Sequence, residues 1–487
     1  MFGYSRDYEL SNNTVRKKYN LPHRDRMALP TDSSALGNTY ISECADWVNF
    51  ETTVSTSSDQ IAIAPGYLQY KRNEGDRTYY HYKMDAPILN FYSWVSAKYE
   101  ILKDKYNDID IEIYYHKGHD YNIVRMVEAV KASLKYYGEN FSPYQHKQVR
   151  IIEFPKTMGS FAQSFPNTIP FSEAIGFIAK IDENEEGGVD YAFHVTAHEM
   201  AHQWWAHQVI GANVQGATLM SESLSEYSAI KVLETKYSKA KIRKFLKYEL
   251  DGYLSGRGME SQEEKPLMYN ENQQYIHYNK GAVAMYAISD YMGVDRLNQA
   301  LSSYVSKVAF QEPPYTTSLE FIPILKEYMP DSLDYVITDM LETITLFDNK
   351  VNDATFTELK DGKYQVDFTV DAEKYRVIKV AKNDVKEVES ENATVSVQFN
   401  NADKKEEKQF VDMNDWIDLA IFEKDDNGDD KEIMFKKVHI TAKENKFSFV
   451  VDKKPNSVGI DPYHKLIDRK TSDNSKKIKK KGEEKAV

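Results

Sequence analysis

A largely apolar stretch from Tyr191 to Ile210, YAFHVTAHEMAHQWWAHQVI, contains the motif H-E-x-x-H at His198, Glu199 and His202. Residues four apart on an α-helix lie one turn above one another on the same face, which is the spacing that two imidazoles need to share one zinc ion. Glu199 is rotated by about 100° from His198, so it is better placed to hold a water beside the metal than to bind the metal itself. The motif therefore predicts a buried helix over 191–210 that carries part of a zinc site, with the rest of the chain packed around it.

The apolar surroundings of the motif support this interpretation. Glu199 is the only Asp or Glu between Tyr191 and Ile210, and an unpaired carboxylate in such a helix would cost several kcal/mol. A metal with its water would satisfy the glutamate and both histidines. The alternative is a hydrogen-bonded histidine–glutamate cluster in an ordinary core, without a metal.

A third ligand is expected from a neighbouring element, because a zinc site of this kind has three protein ligands. The next predicted helix, over 219–237, carries Glu222 and Glu226 on the same face as its apolar residues Leu219, Ala229 and Leu233. We expect Glu222 to complete a His, His, Glu site for one zinc ion per chain. Glu226, one turn further on, would orient a ligand histidine through its other ring nitrogen. Glu226 also remains the rival third ligand, or a glutamate that pairs helices or faces solvent.

This geometry predicts the hydrolysis of a peptide or amide bond. Zinc lowers the pKa of a bound water toward about 7 and polarises a carbonyl. We expect Glu199 to accept the proton of that water and to pass it later to the leaving amine. The tetrahedral oxyanion of such a reaction needs a further hydrogen-bond donor.

Charge and composition exclude several other classes of protein. The net charge of -13 argues against a nucleic-acid binder. Cys44 is the only cysteine, which excludes an intrachain disulfide and a cysteine-ligated metal, and fits a reducing compartment. No run of 18 apolar residues occurs, so a soluble segment without a membrane span is expected. The first 30 residues are polar and irregular, as expected of a connecting arm within a longer polypeptide.

The period of the hydrophobic pattern changes twice along the chain and predicts an α+β multidomain protein. Alternating apolar residues indicate strands, and a spacing of three to four indicates helices. The predicted parts are a linker-like arm over 1–44, a β-rich N-terminal domain over 45–117, a mostly α-helical catalytic domain over 118–347, a C-terminal β-sandwich over 348–470 and a disordered basic tail over 471–487.

At these residues the chain resembles the aminopeptidase N-like gluzincin zinc metallopeptidases. The resemblance rests on HEMAHQWW at 198–205, on LMSESLSEY at 219–227 and on Tyr278-Asn279-Lys280-Gly281-Ala282, which is similar to the family's Y-x-K-G motif. It covers residues 45 to 470 and implies a thermolysin-like catalytic domain in which Tyr278 donates to the oxyanion. The chain is most similar to peptidase-like portions of multi-span, transporter-permease-like polypeptides, which would place a membrane-spanning segment before Met1.

Two departures from the family pattern keep alternatives open. Nineteen residues, 203–221, separate His202 from Glu222, one more than the family usually has. The family's G-A-M-E-N strand, whose glutamate binds the free amine of the substrate, corresponds to Ser160–Ser164, where Gln163 lacks the charge. We therefore expect a zinc peptidase of aminopeptidase-like type acting on peptides. An endopeptidase, or a metal-binding regulatory or substrate-binding module with weak or no turnover, is the alternative.

Overall fold

In a computed structural model of the chain, residues 13–22, 24–182, 190–259, 264–379, 395–399, 405–425, 428 and 430–482 are described. The chain forms two compact units. The first comprises Met1–Phe245 and Ser255–Ile337, and the second comprises Leu246–Leu254 and Thr338–Val487. Residues 1–12 of the predicted arm and 483–487 of the predicted tail lie outside the described residues.

The first unit begins with small antiparallel sheets. Their strands are β1 (Trp47–Val48), β2 (Glu51–Ser57), β3 (Ile61–Ile63), β4 (Tyr67–Glu74), β5 (Arg77–Lys83), β6 (Ile88–Leu89) and β7 (Val95–Ala97). Strand β5 lies between β2 and β4, while β1 pairs with β6 and β3 pairs with β7. Every second residue of β5 is buried, namely Thr78, Tyr80 and Tyr82, as the alternating pattern predicts. The predicted β-rich N-terminal region is confirmed.

A four-stranded mixed sheet follows, in the order β11-β10-β9-β8. Its strands are β8 (Glu100–Tyr106), β9 (Ile109–Tyr115), β10 (Gln148–Phe154) and β11 (Thr168–Ser172). Strand β8 is antiparallel to β9, whereas β9, β10 and β11 are mutually parallel. The carboxyl ends of these three strands therefore meet at one edge of the sheet.

The middle of the chain is helical, as predicted. After α1 (Asn13–Lys18) near the start, its helices are α2 (Ile123–Asn140), α3 (Tyr191–Ala201), α4 (Leu224–Leu233), α5 (Lys239–Met259), α6 (Gly281–Met292), α7 (Val294–Val308), α8 (Ser318–Tyr328) and α9 (Asp334–Ile337). Short 3₁₀ turns cover Lys156–Met158, Leu267–Tyr269, Asp331–Leu333 and Thr471–Asp473, and π-helical segments cover Leu219–Ser223, Tyr275–Lys280 and Thr338–Glu342. Helix α3 packs against α2 and α4.

Two helices differ from their predicted lengths. The helix with the H-E-x-x-H motif ends at Ala201 rather than at Ile210, and residues 202–208 form turns. Tertiary hydrogen bonds of the two indoles favour these turns, because Trp204 donates to the Ser142 carbonyl and Trp205 donates to the Ser228 hydroxyl. The segment predicted as a helix over 219–237 begins with the π-helical turn and ends its α-helix at Leu233.

The arm differs from the expectation of a linker where it is described. The backbone forms β-bridges from Ala28 to Val214 and from Thr39 to Ala212. The amides of Arg26 and Met27 both donate to the Glu271 carboxylate, at 2.9 and 3.2 Å. Apolar side chains of the arm also pack against a buried cluster of the first unit; they are Ala28, Ala35, Leu36, Tyr40 and Ile41.

The second unit contains two sheets. Its strands are β12 (Thr345–Glu358), β13 (Tyr364–Lys379), β14 (Val395–Phe399), β15 (Lys405–Val411), β16 (Asp415–Lys424), β17 (Asp430–Ile440), β18 (Glu444–Val451), β19 (Ser457–Ile460), β20 (Ser475–Lys477) and β21 (Lys479–Lys480). One sheet has the order β14-β15-β13-β12-β21, with β18 paired to β13, and the other has the order β17-β16-β19-β20. C-terminal sheets are thus confirmed, and their arrangement as a sandwich stays a prediction.

The predicted disordered tail also differs from the structure where residues 471–482 are described. Strand β20 pairs with β19, and β21 pairs with β12, so backbone hydrogen bonds order a lysine-rich segment that has no apolar pattern. Among the described helices, none combines the length and the apolar character that crossing a membrane requires.

Candidate metal and catalytic site

Helix α3 presents the residues of the H-E-x-x-H motif inside the first unit. His198, Glu199 and His202 are each only 6% exposed. The helix starts at the N-cap residue Asp190, whose carboxylate accepts the amide of Phe193 and also contacts Arg125 and Tyr237. A capped, buried helix of this kind holds both histidines in fixed positions.

Glu222 faces both histidines. One of its carboxylate oxygens, Oε2, lies 3.4 Å from His198 Nε2 and 3.2 Å from His202 Nε2. Three ligands of a tetrahedral zinc ion lie about 3.3 Å apart when each bond is about 2.0–2.1 Å long. Oε2 of Glu222 is buried and has no partner with hydrogen-bond geometry among the described residues. A buried carboxylate oxygen without a partner costs free energy unless a cation binds it. The three side chains therefore fit a zinc ion.

A π-helical turn places Glu222. The amide of Leu224 donates to the carbonyl of Leu219, five residues back, at the end of the turn Leu219–Ser223. Such turns shift the register of a helix by one residue and are frequent at functional sites. Glu222 lies within this turn and faces both histidines, although 19 residues separate it from His202.

Glu226 lies on the opposite side of the His198 ring. Its Oε1 is 3.1 Å from His198 Nδ1, an ion-pair contact whose angle is not that of a hydrogen bond, and its Oε2 is 3.0 Å from His194 Nε2. Glu226 thus contacts the ring nitrogen that points away from Glu222. Nδ1 of His202 is likewise occupied, by the Ser225 hydroxyl and the Trp205 carbonyl, both at 3.1 Å. These contacts fix both rings so that each Nε2 faces Glu222.

Glu199 and Tyr278 are the groups that could move or donate protons. Burial raises the pKa of Glu199 above its usual value, and this makes the carboxylate a stronger base. Its Oε2 is buried without a hydrogen-bond partner among the described residues. Burial, together with the charge of Glu222, raises the pKa of Tyr278 well above its usual range, so its hydroxyl keeps its proton. The Tyr278 ring lies 5.8 Å from the ring of His198, centre to centre.

The segment with Gln163 runs beside helix α3. The backbone amide of Gln163 donates to the Pro170 carbonyl. The hydroxyl of the next residue, Ser164, donates to the backbone carbonyl of Glu199 at 2.9 Å. Gln203 then donates to Ser164 at 2.6 Å. The half-buried Gln163 is therefore one residue from a direct contact with the backbone of Glu199.

Sequence reasoning missed two residues near the site. His194 lies one helical turn before His198 and could have been found from the spacing of three histidines, 194, 198 and 202, on one face. Tyr40 of the arm is close to Glu222, and burial together with the charge of Glu222 raises the pKa of Tyr40 above its usual range. No local pattern connects Tyr40 to the site, because 180 residues of chain separate it from Ser221.

The comparisons with known proteins concern this same region. Residues 125–340 match the Peptidase family M1 domain. "Tricorn protease-interacting factor F2" of Thermoplasma acidophilum is 24% identical over 235 residues, which is 46% of this chain and 29% of that protein. "Probable aminopeptidase 1" of Sulfurisphaera tokodaii is 20% identical over 273 residues, 54% of this chain and 34% of that protein. The matched region thus spans about a third of those relatives.

A solved structure extends the likeness in fold. Aminopeptidase A of Legionella pneumophila, in complex with aspartic acid, is similar with a TM-score of 0.54 and 13% identity over 90% of this chain and 45% of that one. The matches confirm the predicted resemblance to the aminopeptidase N-like family for the M1 domain. The similarity to transporter-permease-like polypeptides stays a prediction.

Proposed function

We propose that the chain is a zinc metallopeptidase of aminopeptidase-like type. The observation that carries the proposal is the meeting of His198 Nε2, His202 Nε2 and Glu222 Oε2 at tetrahedral spacing, next to the buried Glu199. The match of residues 125–340 to the M1 domain and the similarity to "Probable aminopeptidase 1" support the same reaction class.

The residues of the site divide the reaction among them. A zinc ion bound by His198, His202 and Glu222 would supply Lewis acidity, lowering the pKa of a water toward about 7 and polarising the carbonyl of a peptide substrate. Glu199 accepts a proton from the attacking water and later donates it to the leaving amine. The protonated hydroxyl of Tyr278 donates to the oxyanion that develops on the substrate. Glu226 orients the His198 ring through an ion-pair contact with the Nδ1 atom of that ring.

The decisive experiment replaces Glu199 with Gln, which keeps the shape of the side chain but removes the base. We expect hydrolysis of a peptide substrate to fall by about 10²–10⁴-fold, while zinc content, measured by mass spectrometry of the metal, stays unchanged. The matched control is Glu234→Gln, because Glu234 contacts Tyr286 and Lys231, and none of its hydrogen bonds within the described part of the chain reaches the site. Retained activity in Glu199→Gln would exclude the mechanism.

A second candidate function follows from Gln163. A neutral amide in place of the family's glutamate removes the charge that pairs with the free amine of a substrate, which favours an endopeptidase or a binding module with little turnover. Peptides with free and acetylated N-termini separate these cases. An aminopeptidase cuts only the free form, an endopeptidase cuts both at similar rates, and a binding module retains peptides without cutting any in a broad screen.

A further inference from the structure

A second cluster of histidine and glutamate lies at the edge of the mixed sheet. His116 directly follows β9, Glu153 is the penultimate residue of β10, and Glu173 directly follows β11. Because these three strands are parallel neighbours, the topology brings the three side chains to one edge. This cluster shares no residue with the site on helix α3.

A tight turn adds a fourth residue to the cluster. The amide of His119 donates to the carbonyl of His116 at 2.9 Å, and Gly118 between them has φ of +85°, which favours glycine. His116 Nδ1 lies 3.1 Å from Glu153 Oε2, and His119 Nδ1 contacts Glu153 Oε1. The turn thus directs the same nitrogen of both rings toward one carboxylate.

The charges of the cluster are not balanced by basic side chains. The Glu153 side chain is 0% exposed, and Glu173 Oε2 lies 3.7 Å from His119 Nδ1. Within the described part of the chain, no lysine or arginine forms an ion pair with Glu153 or Glu173. Two carboxylates therefore face two imidazoles, whose uncharged form is a metal ligand. A divalent cation would offset both negative charges.

We propose that His116, His119 and Glu153 bind a second divalent transition-metal cation, with zinc as the preferred ion and Glu173 as an additional oxygen donor. One donor atom from each of the first three residues lies within 4.8 Å of the others, so small rotations bring them to bonding distance. Imidazole and carboxylate donors suit zinc better than magnesium or calcium, which take oxygen ligands. The side chains of both histidines are 32% exposed, which gives the cation a route from solvent.

The bound cation would join the carboxyl ends of three neighbouring strands. Strand β10 leads directly into residues 155–165, the segment that carries Gln163. Glu173 already accepts the amide of Lys156 in that segment, at 2.8 Å. The second cation thus has a structural role, in which it anchors the start of the segment 155–165.

The test uses the full chain with His202→Ala, which disables the site on α3. Zinc binding is measured by equilibrium dialysis against chelator-buffered zinc, and circular dichroism verifies folding. We expect about one zinc per chain to remain bound. Adding His119→Ala should weaken this binding at least about tenfold. The matched control is His81→Ala. His81 also contacts a glutamate, Glu51, at 3.0 Å, but the other oxygen of Glu51 pairs with Lys83 and not with a second imidazole.

Two results would overturn the proposal. One is the absence of zinc binding in folded His202→Ala, and the other is binding that His119→Ala and His81→Ala change equally. If His202→Ala does not fold, the unaltered chain is first loaded with one equivalent of zinc and then titrated further. The site is supported if a second equivalent of zinc binds and raises the midpoint of thermal unfolding, and if His119→Ala abolishes this second binding event. A titration without a second equivalent excludes it.

Discussion

Two glutamates one helical turn apart contact opposite nitrogens of the same imidazole. Glu222 Oε2 faces His198 Nε2, whereas Glu226 Oε1 faces His198 Nδ1. Glu226 also holds His194 through its second oxygen. The two carboxylates are therefore chemically distinct, one suited to bind a metal and the other suited to orient the ligand that binds it.

Glutamine at each position separates the two roles. We expect Glu226→Gln to weaken zinc binding by about 10–100-fold and Glu222→Gln to weaken it more, because Glu222 supplies the charged donor itself. Competition with a chelator of known affinity measures the zinc affinity of both variants, with Glu234→Gln as the control. The opposite order would make Glu226 the third ligand.

Tyr278 offers a test of oxyanion stabilisation. Since its hydroxyl remains protonated, Tyr278→Phe should lower kcat by about 10²–10³-fold with little change in KM. Steady-state kinetics on one peptide substrate measure the two constants, and the control is Tyr286→Phe, because the Tyr286 hydroxyl donates to Glu234. An increase in KM at constant kcat would assign Tyr278 to ground-state binding instead.

At the scale of elements, periodicity predicted the order of strands and helices but not the local shape of the helices at the site. The motif in α3 and the shared face of Glu222 and Glu226 were visible because i, i+4 spacing is a local property. The π-helical turns over Leu219–Ser223 and Tyr275–Lys280 were not. They depend on contacts between the two segments, such as the Ser223 hydroxyl donating to the His277 carbonyl at 2.7 Å.

Gly281 permits that contact between segments. A Cβ added to Gly281 would lie 2.2 Å from Ser223 Oγ and 2.6 Å from Ser223 Cβ. We expect Gly281→Ala to destabilise the protein by about 1–3 kcal/mol and to lower activity by displacing Tyr278. The matched control is Gly138→Ala in helix α2, where the added Cβ meets nothing within 4 Å and should stabilise by about 0.5–1 kcal/mol. Urea denaturation compares both variants, and equal effects would argue against a steric role for Gly281.

At the scale of the whole molecule, two buried histidines predict that acid destabilises the first unit. Burial, with the neighbouring charge of His207, lowers the pKa of His146 to about 3, and burial lowers the pKa of His207 to about 4. Between pH 6.5 and about pH 4 the unfolded chain binds protons at both residues while the folded chain does not. Stability is therefore fully present above that pH and falls as the pH decreases, by about 2 kcal/mol per histidine at pH 5.

The variant His146→Gln should reduce the loss of stability between pH 7 and pH 5 by about 2 kcal/mol. Urea denaturation at pH 7 and pH 5 measures the difference, and the exposed His439 of the second unit, replaced in the same way, is the control. An unchanged pH dependence in His146→Gln would mean that His146 is protonated in the folded chain.

The ends of the chain show where sequence reasoning fails. Strand and helix periods correctly separated the β-rich start, the helical middle and the C-terminal sheets, because each burial pattern repeats over many residues. The arm and the tail contain no such repeat. Their order comes from partners far away in sequence, such as Val214 for Ala28 and Thr355 for Lys479, and a polar composition does not reveal such partners.

The two bridges of the arm also affect how the chain would respond to a backbone cut. Residues 31–34 are exposed and lie between Ala28 and Thr39, which pair with Val214 and Ala212. A protease that nicks this short loop would leave a fragment on each side that still has its own backbone partner. The nicked chain would therefore remain one particle, with Tyr40 still beside Glu222, although a denaturing gel would show two bands.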